Sequence, residues 1–137
     1  MVPTRTTDAT AVALLALSAL AGLALWPSLP SEMAIHFGAS GTPDNVVDKP
    51  LGVLLAPAIG VAALVFVRVA ARVDPAADQR VLDLSVLFLG ATIASVQSFV
   101  LAWNLGVRVS PAVVVGPVLL GAGVLTVYAF YREGCLG

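Results

Sequence analysis

The chain alternates between long apolar runs and short polar breaks. Apolar stretches cover about 9–26, 51–69, 84–105 and 112–131. A bilayer core about 30 Å thick is crossed by a helix of about 20 apolar residues, so each run is of spanning length. Pro27 closes the first run, because proline lacks an amide donor. Asp8 or Thr10 is placed to cap its start. Pro50 leads into the second, and Ser110-Pro111 supplies an N-cap and first-turn pair for the fourth. The expected fold is all-α, a single integral membrane bundle of four transmembrane helices.

Composition agrees with that reading. Of 137 residues, 59% are hydrophobic and 11% charged, whereas a soluble domain carries about 25% charge. A net charge of −1 gives no footprint for direct nucleic-acid binding. The lone Cys135 can form no internal disulfide. The first run is longer than the core of a cleaved signal peptide, and its small-residue pairs lie inside it, so it is read as a retained span.

Charge sets the expected orientation. Arg5, Arg68, Arg72, Arg80 and Arg132 fall on the side of the termini, and Lys49 and Arg108 on the other. By the positive-inside rule this expects a multi-pass protein of the cell membrane, with both termini cytoplasmic and the 27–50 loop facing outward. Arg68, Arg72 and Arg80 are topology-fixing snorkelling arginines, or alternatively a docking patch for a cytoplasmic regulator or anionic lipid.

Between membrane helices, packing must come from small residues and a few hydrogen bonds. Ser18 with Gly22, Ala58 with Ala62 around Gly60, and Gly116, Gly121 and Gly123 are the small-residue candidates. Pro57 and Pro117 each remove a backbone hydrogen bond inside a span. In the third span Gly90, Ile93, Gln97, Leu101 and Asn104 share one helical face. Gln97 and Asn104 are its intramembrane polar residues, and a mid-membrane amide needs a partner on a neighbouring helix. Such a bond contributes roughly 0.5–2 kcal/mol. The span centres carry no acid or base, which argues against a pump or ion-coupled transporter.

The polar island at 27–50 is the most ordered motif and holds the one histidine. Leu29-Pro30 and Thr42-Pro43 stiffen its two ends. Two arrangements are open between them. An extended form puts Met33, Ile35 and Phe37 on one face and Glu32, Ala34 and His36 on the other. A helical turn instead brings Glu32 to His36 at i,i+4. Gly38 and Gly41 permit tight turns, and Gly41 is a candidate for a positive φ. His36 with Glu32, Asp44 and Asp48 is a thin metal set, because zinc sites usually add a second nitrogen or sulfur ligand. The reading preferred is a histidine that organises the loop, with no cofactor, no metal and no catalytic residues.

Leu29-Pro30, Met33, His36-Phe37, Gly41 and Pro43-Asp44, preceded by an aromatic residue, resemble the signature of the domain of unknown function 1648, found in the SdpI-like family. Met33 stands where isoleucine is usual, and Asn45-Val46 where an aromatic residue is common. Lys49 sits near the family's lysine. The resemblance implies a loop between two membrane helices, carried by Leu29, Pro30, Glu32, His36, Phe37, Gly41, Pro43 and Asp44. It implies immunity against, or sensing of, a peptide toxin or envelope ligand, with possible coupling to a cytoplasmic repressor. Larger members continue into a further helical region. The rival readings are an accessory subunit of a membrane complex and a metal-dependent protein centred on His36.

Overall fold

The computed structural model describes residues 4–74 and 76–134. Pro75 and Cys135 lie outside them. Helix α1 is Thr4–Ala24, followed by a short 3-10 turn at Trp26–Ser28. Strands β1 (Glu32–Phe37) and β2 (Pro43–Asp48) form an antiparallel hairpin. Helices α2 (Lys49–Val73), α3 (Gln79–Asn104) and α4 (Ala112–Arg132) complete the described chain. Among the described residues, four helices are long and apolar enough to cross a membrane. The protein is a helical membrane bundle carrying one hairpin that the all-α expectation did not contain.

Helix boundaries depart from the apolar runs where polar residues find partners. Helix α1 begins before Asp8. Asp8 is therefore not its cap; it accepts from Arg68 Nε at 2.8 Å. Thr10, also a candidate cap, instead bonds back to the Thr6 carbonyl inside the helix at 2.8 Å. Helix α2 runs on to Val73, carrying Arg72 past the apolar run. Helix α3 starts five residues before Leu84, because Asp78 caps it, accepting from the amides of Arg80 at 2.9 Å and Val81 at 3.1 Å.

Helices α1, α2 and α3 pack mutually, while α4 rests on α3. Small residues permit the close approaches. A Cβ at Gly22 would sit 2.6 Å from Val53 Cγ1, and one at Gly90 would sit 3.1 Å from the Ala11 Cα. Gly60 faces Leu15 and Ile93. Ala58 and Ala62 of the expected small-residue pair are exposed, whereas Gly60 between them is buried. On α4, Gly121 meets Phe88, but Gly116 and Gly123 have nothing within 4 Å.

Gln97 is buried and donates to the Val53 carbonyl at 2.8 Å. The reason is local. The amide that would normally reach that carbonyl in α2 belongs to residue 57, which is proline. Pro57 and Gln97 are thus two halves of one device: the proline frees a mid-membrane carbonyl, and the glutamine of the next helix occupies it.

Candidate functional site: the anchored hairpin

The 27–50 segment adopts the extended arrangement. Met33 is fully buried, Ile35 and Phe37 are half-buried, and Glu32 and His36 are exposed, but Ala34, expected on the face of Glu32 and His36, is buried. Helix α2 accepts the methionine because Gly52 faces it; a Cβ there would lie 2.8 Å from Met33 Cβ. Leu29, Met33, Val53, Phe99, Val100 and Leu101 form one buried cluster. Phe37 stands edge-on to Phe99 and Trp103, with ring centroids 5.0 and 4.9 Å away, a preferred aromatic geometry.

The polar anchor is Asn104. Its Oδ1 accepts from the Ala34 amide at 2.9 Å, and its Nδ2 donates to the Ala34 carbonyl at 2.9 Å and the Val100 carbonyl at 2.8 Å. The side-chain amide therefore plays the part of a peptide unit in a neighbouring strand. It occupies one edge of the hairpin from the last turn of α3. At the base of the hairpin the Lys49 amide donates to the Ser31 carbonyl at 2.9 Å. Lys49 Nζ donates to the Trp26 carbonyl at 3.0 Å and lies 5.5 Å from the centre of its ring. Arg108 repeats the pattern on Trp103, donating to its carbonyl at 3.1 Å and stacking 4.7 Å from its ring.

The far end of the hairpin is shaped by two offsets. Pairing runs Ala34↔Val46, His36↔Asn45 and Phe37↔Pro43. Ile35 is the extra residue on β1 and Asp44 the extra one on β2, so the offsets cancel. Asp44 meets His36 there: Nδ1 lies 2.5 Å from Asp44 Oδ1, and both side chains are at least half exposed. Gly41 has φ +81°, the turn conformation that favours glycine. The Gly38 amide closes the turn on the Thr42 carbonyl at 2.9 Å, and the Ser40 and Thr42 hydroxyls lie 2.8 Å apart. Between this turn and the start of α4 is a cleft of about 310 Å³ lined by Phe37, Gly38, Ser40, Gly41, Ser110 and Pro111.

The motif residues divide by role. Leu29 and Phe37 are anchors, Pro30 and Pro43 flank the strands, and His36, Asp44 and Gly41 form the exposed end. Glu32 stands opposite Asp48 at the base, away from the His36–Asp44 pair. Among the described residues no three His, Cys, Asp or Glu side chains come together as a metal set. Lys49–Trp26 and the Asn104 bridge were not foreseen. Asn104 was legible as a polar residue in need of a partner, but nothing in its spacing named Ala34.

At the opposite end of the bundle, Arg68 is largely enclosed. It bonds Asp8 on α1 and reaches Asp83 on α3 at 3.2 Å. Of the three arginines read as a docking patch, Arg72 and Arg80 are exposed and Arg68 is committed to this cluster. Arg132 at the end of α4 donates to Asp78 at 3.0 and 2.7 Å. That hydrogen bond from Arg132, with the amides of Val81 and Arg80, holds the Asp78 carboxyl below its ordinary pKa.

Residues 13–61 match the family model described as Domain of unknown function (DUF1648). The matched segment runs from within α1, through the hairpin, to the middle of α2. Gln97 and Asn104, which brace it, lie outside the match. No curated protein and no solved structure matches the chain.

Proposed function

We propose that this membrane protein recognises a peptide or envelope ligand through its hairpin, in the manner of SdpI-like immunity or sensing proteins, and that it is a binding protein rather than an enzyme. The observation that carries the reading is the division of the hairpin. One side is locked to α2 and α3 by Met33, Phe37 and Asn104, while the His36–Asp44 end stands exposed beside a cleft. A rigid support under an exposed polar tip is what a recognition element needs. The orientation proposed with it places both termini in the cytoplasm and the hairpin outside, since the side of the termini carries the arginine excess. Arg72 and Arg80 are then available to a cytoplasmic regulator.

Two experiments test this. Single cysteines at Ser40 or Thr42, in a Cys135→Ser background, should react with an impermeant thiol reagent in intact cells, and one at Ala76 should not. Labelling at 76 alone inverts the orientation. Cells expressing the chain should survive a panel of secreted membrane-active peptides better than cells without it, or signal their presence. Equal survival and no response across the panel would remove immunity and sensing together.

A further inference from the structure

The two edges of the hairpin are not equivalent. On β1, the Ala34 amide and carbonyl point away from β2, because both are bonded to Asn104. Ala34 pairs with Val46. In an antiparallel ladder, when one member of a pair directs its backbone groups outward, so does the other. The Val46 amide and carbonyl therefore face away from β1, and the period of two places the Asp48 amide on the same side. The Lys49 amide, one residue on, points inward to Ser31, as this alternation requires. Among the described residues the sheet has two strands, so no third strand pairs with β2. Val46 is 51% exposed. One edge is closed by a side-chain amide, and the other is open.

Open edges attract further strands unless something discourages it. Here the exposed charges of the two strands are carboxylates, with His36 paired to one of them, Asp44. Glu32, Asp44 and Asp48 are all exposed on the hairpin. The neighbouring cations are engaged: Lys49 on Trp26 and Arg108 on Trp103. A second copy pairing through β2 would bring the same three carboxylates against these. An extended chain carrying lysine or arginine would meet them with opposite charge, which favours its encounter and register.

We propose that the outer edge of β2 is a strand-addition site for an extended cationic peptide. Main-chain pairing to Val46 and Asp48 supplies the contact, and Glu32, Asp44 and Asp48 select the charge. This rests on the recognition reading above and gives its ligand a chemical class.

The test uses the full chain in phosphatidylcholine nanodiscs, so that a cationic probe has little attraction to the lipid. The probe is a capped, fluorescent octapeptide of alternating lysine and valine. Its twin is methylated on alternate backbone nitrogens, which keeps the charge but removes the pairing edge. The parent should bind saturably and the twin about tenfold more weakly, the loss expected for one or two main-chain hydrogen bonds. Val46→Pro, which removes an outward donor but no ladder bond, should weaken the parent similarly while amide exchange at Ala34 stays protected. Asp44→Asn with Asp48→Asn should weaken binding and flatten its salt dependence. Equal binding of the twin, or no saturable binding of the parent, overturns the proposal without any variant having to fold. Disulfide-linked dimers through cysteine at Val46 would assign the edge to a second copy and overturn it as well. Cells whose Val46→Pro protein still protects fully would remove strand addition but leave recognition standing. Main-chain binding of the octapeptide by a protein that never protects or signals would do the reverse.

Discussion

The two ends of the bundle are held by different chemistry. The hairpin is fixed to the helices mainly by neutral amides and rings, Asn104 on Ala34, Gln97 on Val53, and Phe37 among Phe99 and Trp103, with Lys49 and Arg108 each laid on a tryptophan. The opposite end uses ion pairs: Arg68 with Asp8 and Asp83, and Arg132 with Asp78. Amide and ring contacts are directional and indifferent to salt, so they hold a shape. Ion pairs at a membrane surface are screened and forgiving of geometry, so they hold helices together without fixing fine position. The hairpin, proposed above as the recognition element, stands on the first kind of support.

The comparison breaks most sharply at Asn104. Asn104→Leu removes both bonds to Ala34 and leaves a backbone amide and carbonyl without partners. Each orphaned group costs about 1–3 kcal/mol, so a loss of about 3 kcal/mol is expected. Hydrogen exchange should speed up at Ala34 while α1 and α2 remain protected. Unchanged exchange at Ala34 would mean that the rings and Met33 hold the hairpin alone.

At the other end, Arg68→Gln should cost less, about 1–2 kcal/mol, between the values for exposed and buried pairs. Asp8 and Asp83 would then face one another without their shared cation. Thermal unfolding in detergent should show a penalty that shrinks as salt rises, whereas the Asn104→Leu penalty should not. A salt-independent Arg68→Gln effect would erase the distinction between the ends.

Much of this was readable in advance, and the limit has a physical cause. Lipid demands about 20 apolar residues per span, so the four helices follow from the apolar runs. The buried face of α3 follows from helical spacing, and Gly90, Ile93, Gln97 and Leu101 are all buried. The positive φ of Gly41 follows from its place in a turn. Spacing on one element names a face, however, and not the neighbour it meets. Ala34 and Asn104 are 70 residues apart, and Gln97 and Val53 are 44 apart. The strand and the helical turn satisfied the same six residues of the island, and the choice was made by Gly52 and Asn104, which lie beyond them. Gly116, Gly121 and Gly123 look alike in the sequence; only Gly121 finds Phe88.

A smaller effect sharpens the account of the hairpin end. Gln97→Leu removes the bond to the Val53 carbonyl, but it also removes the Oε1 atom, which is buried without a partner among the described residues. The net cost should be about 1 kcal/mol. In a Pro57→Ala background the new amide at position 57 can take the Val53 carbonyl itself. There Gln97→Leu should cost close to nothing. A double-mutant cycle by unfolding in detergent reads this directly. The same cost in both backgrounds would show that Gln97 acts otherwise than by completing the proline's missing bond.

The smallest effect concerns pH at the ion-paired end. The Asp78 carboxyl is held below its ordinary pKa, first by its hydrogen bond from Arg132. A carboxyl with a lowered folded-state pKa contributes stability above its unfolded value, and that contribution disappears as pH falls through the folded one. The contact between α4 and the start of α3 should therefore be intact at neutral pH and weaken only below the ordinary aspartate range, near pH 3.8 and lower. Asp78→Asn should remove this step while retaining a side chain able to cap α3. Spin labels at Gln79 and Glu133 would follow the separation of the two helix ends. Movement in the wild type at low pH but none in Asp78→Asn is expected. An equal acid response in both would place the titrating group elsewhere and remove the Asp78–Arg132 pair as its cause.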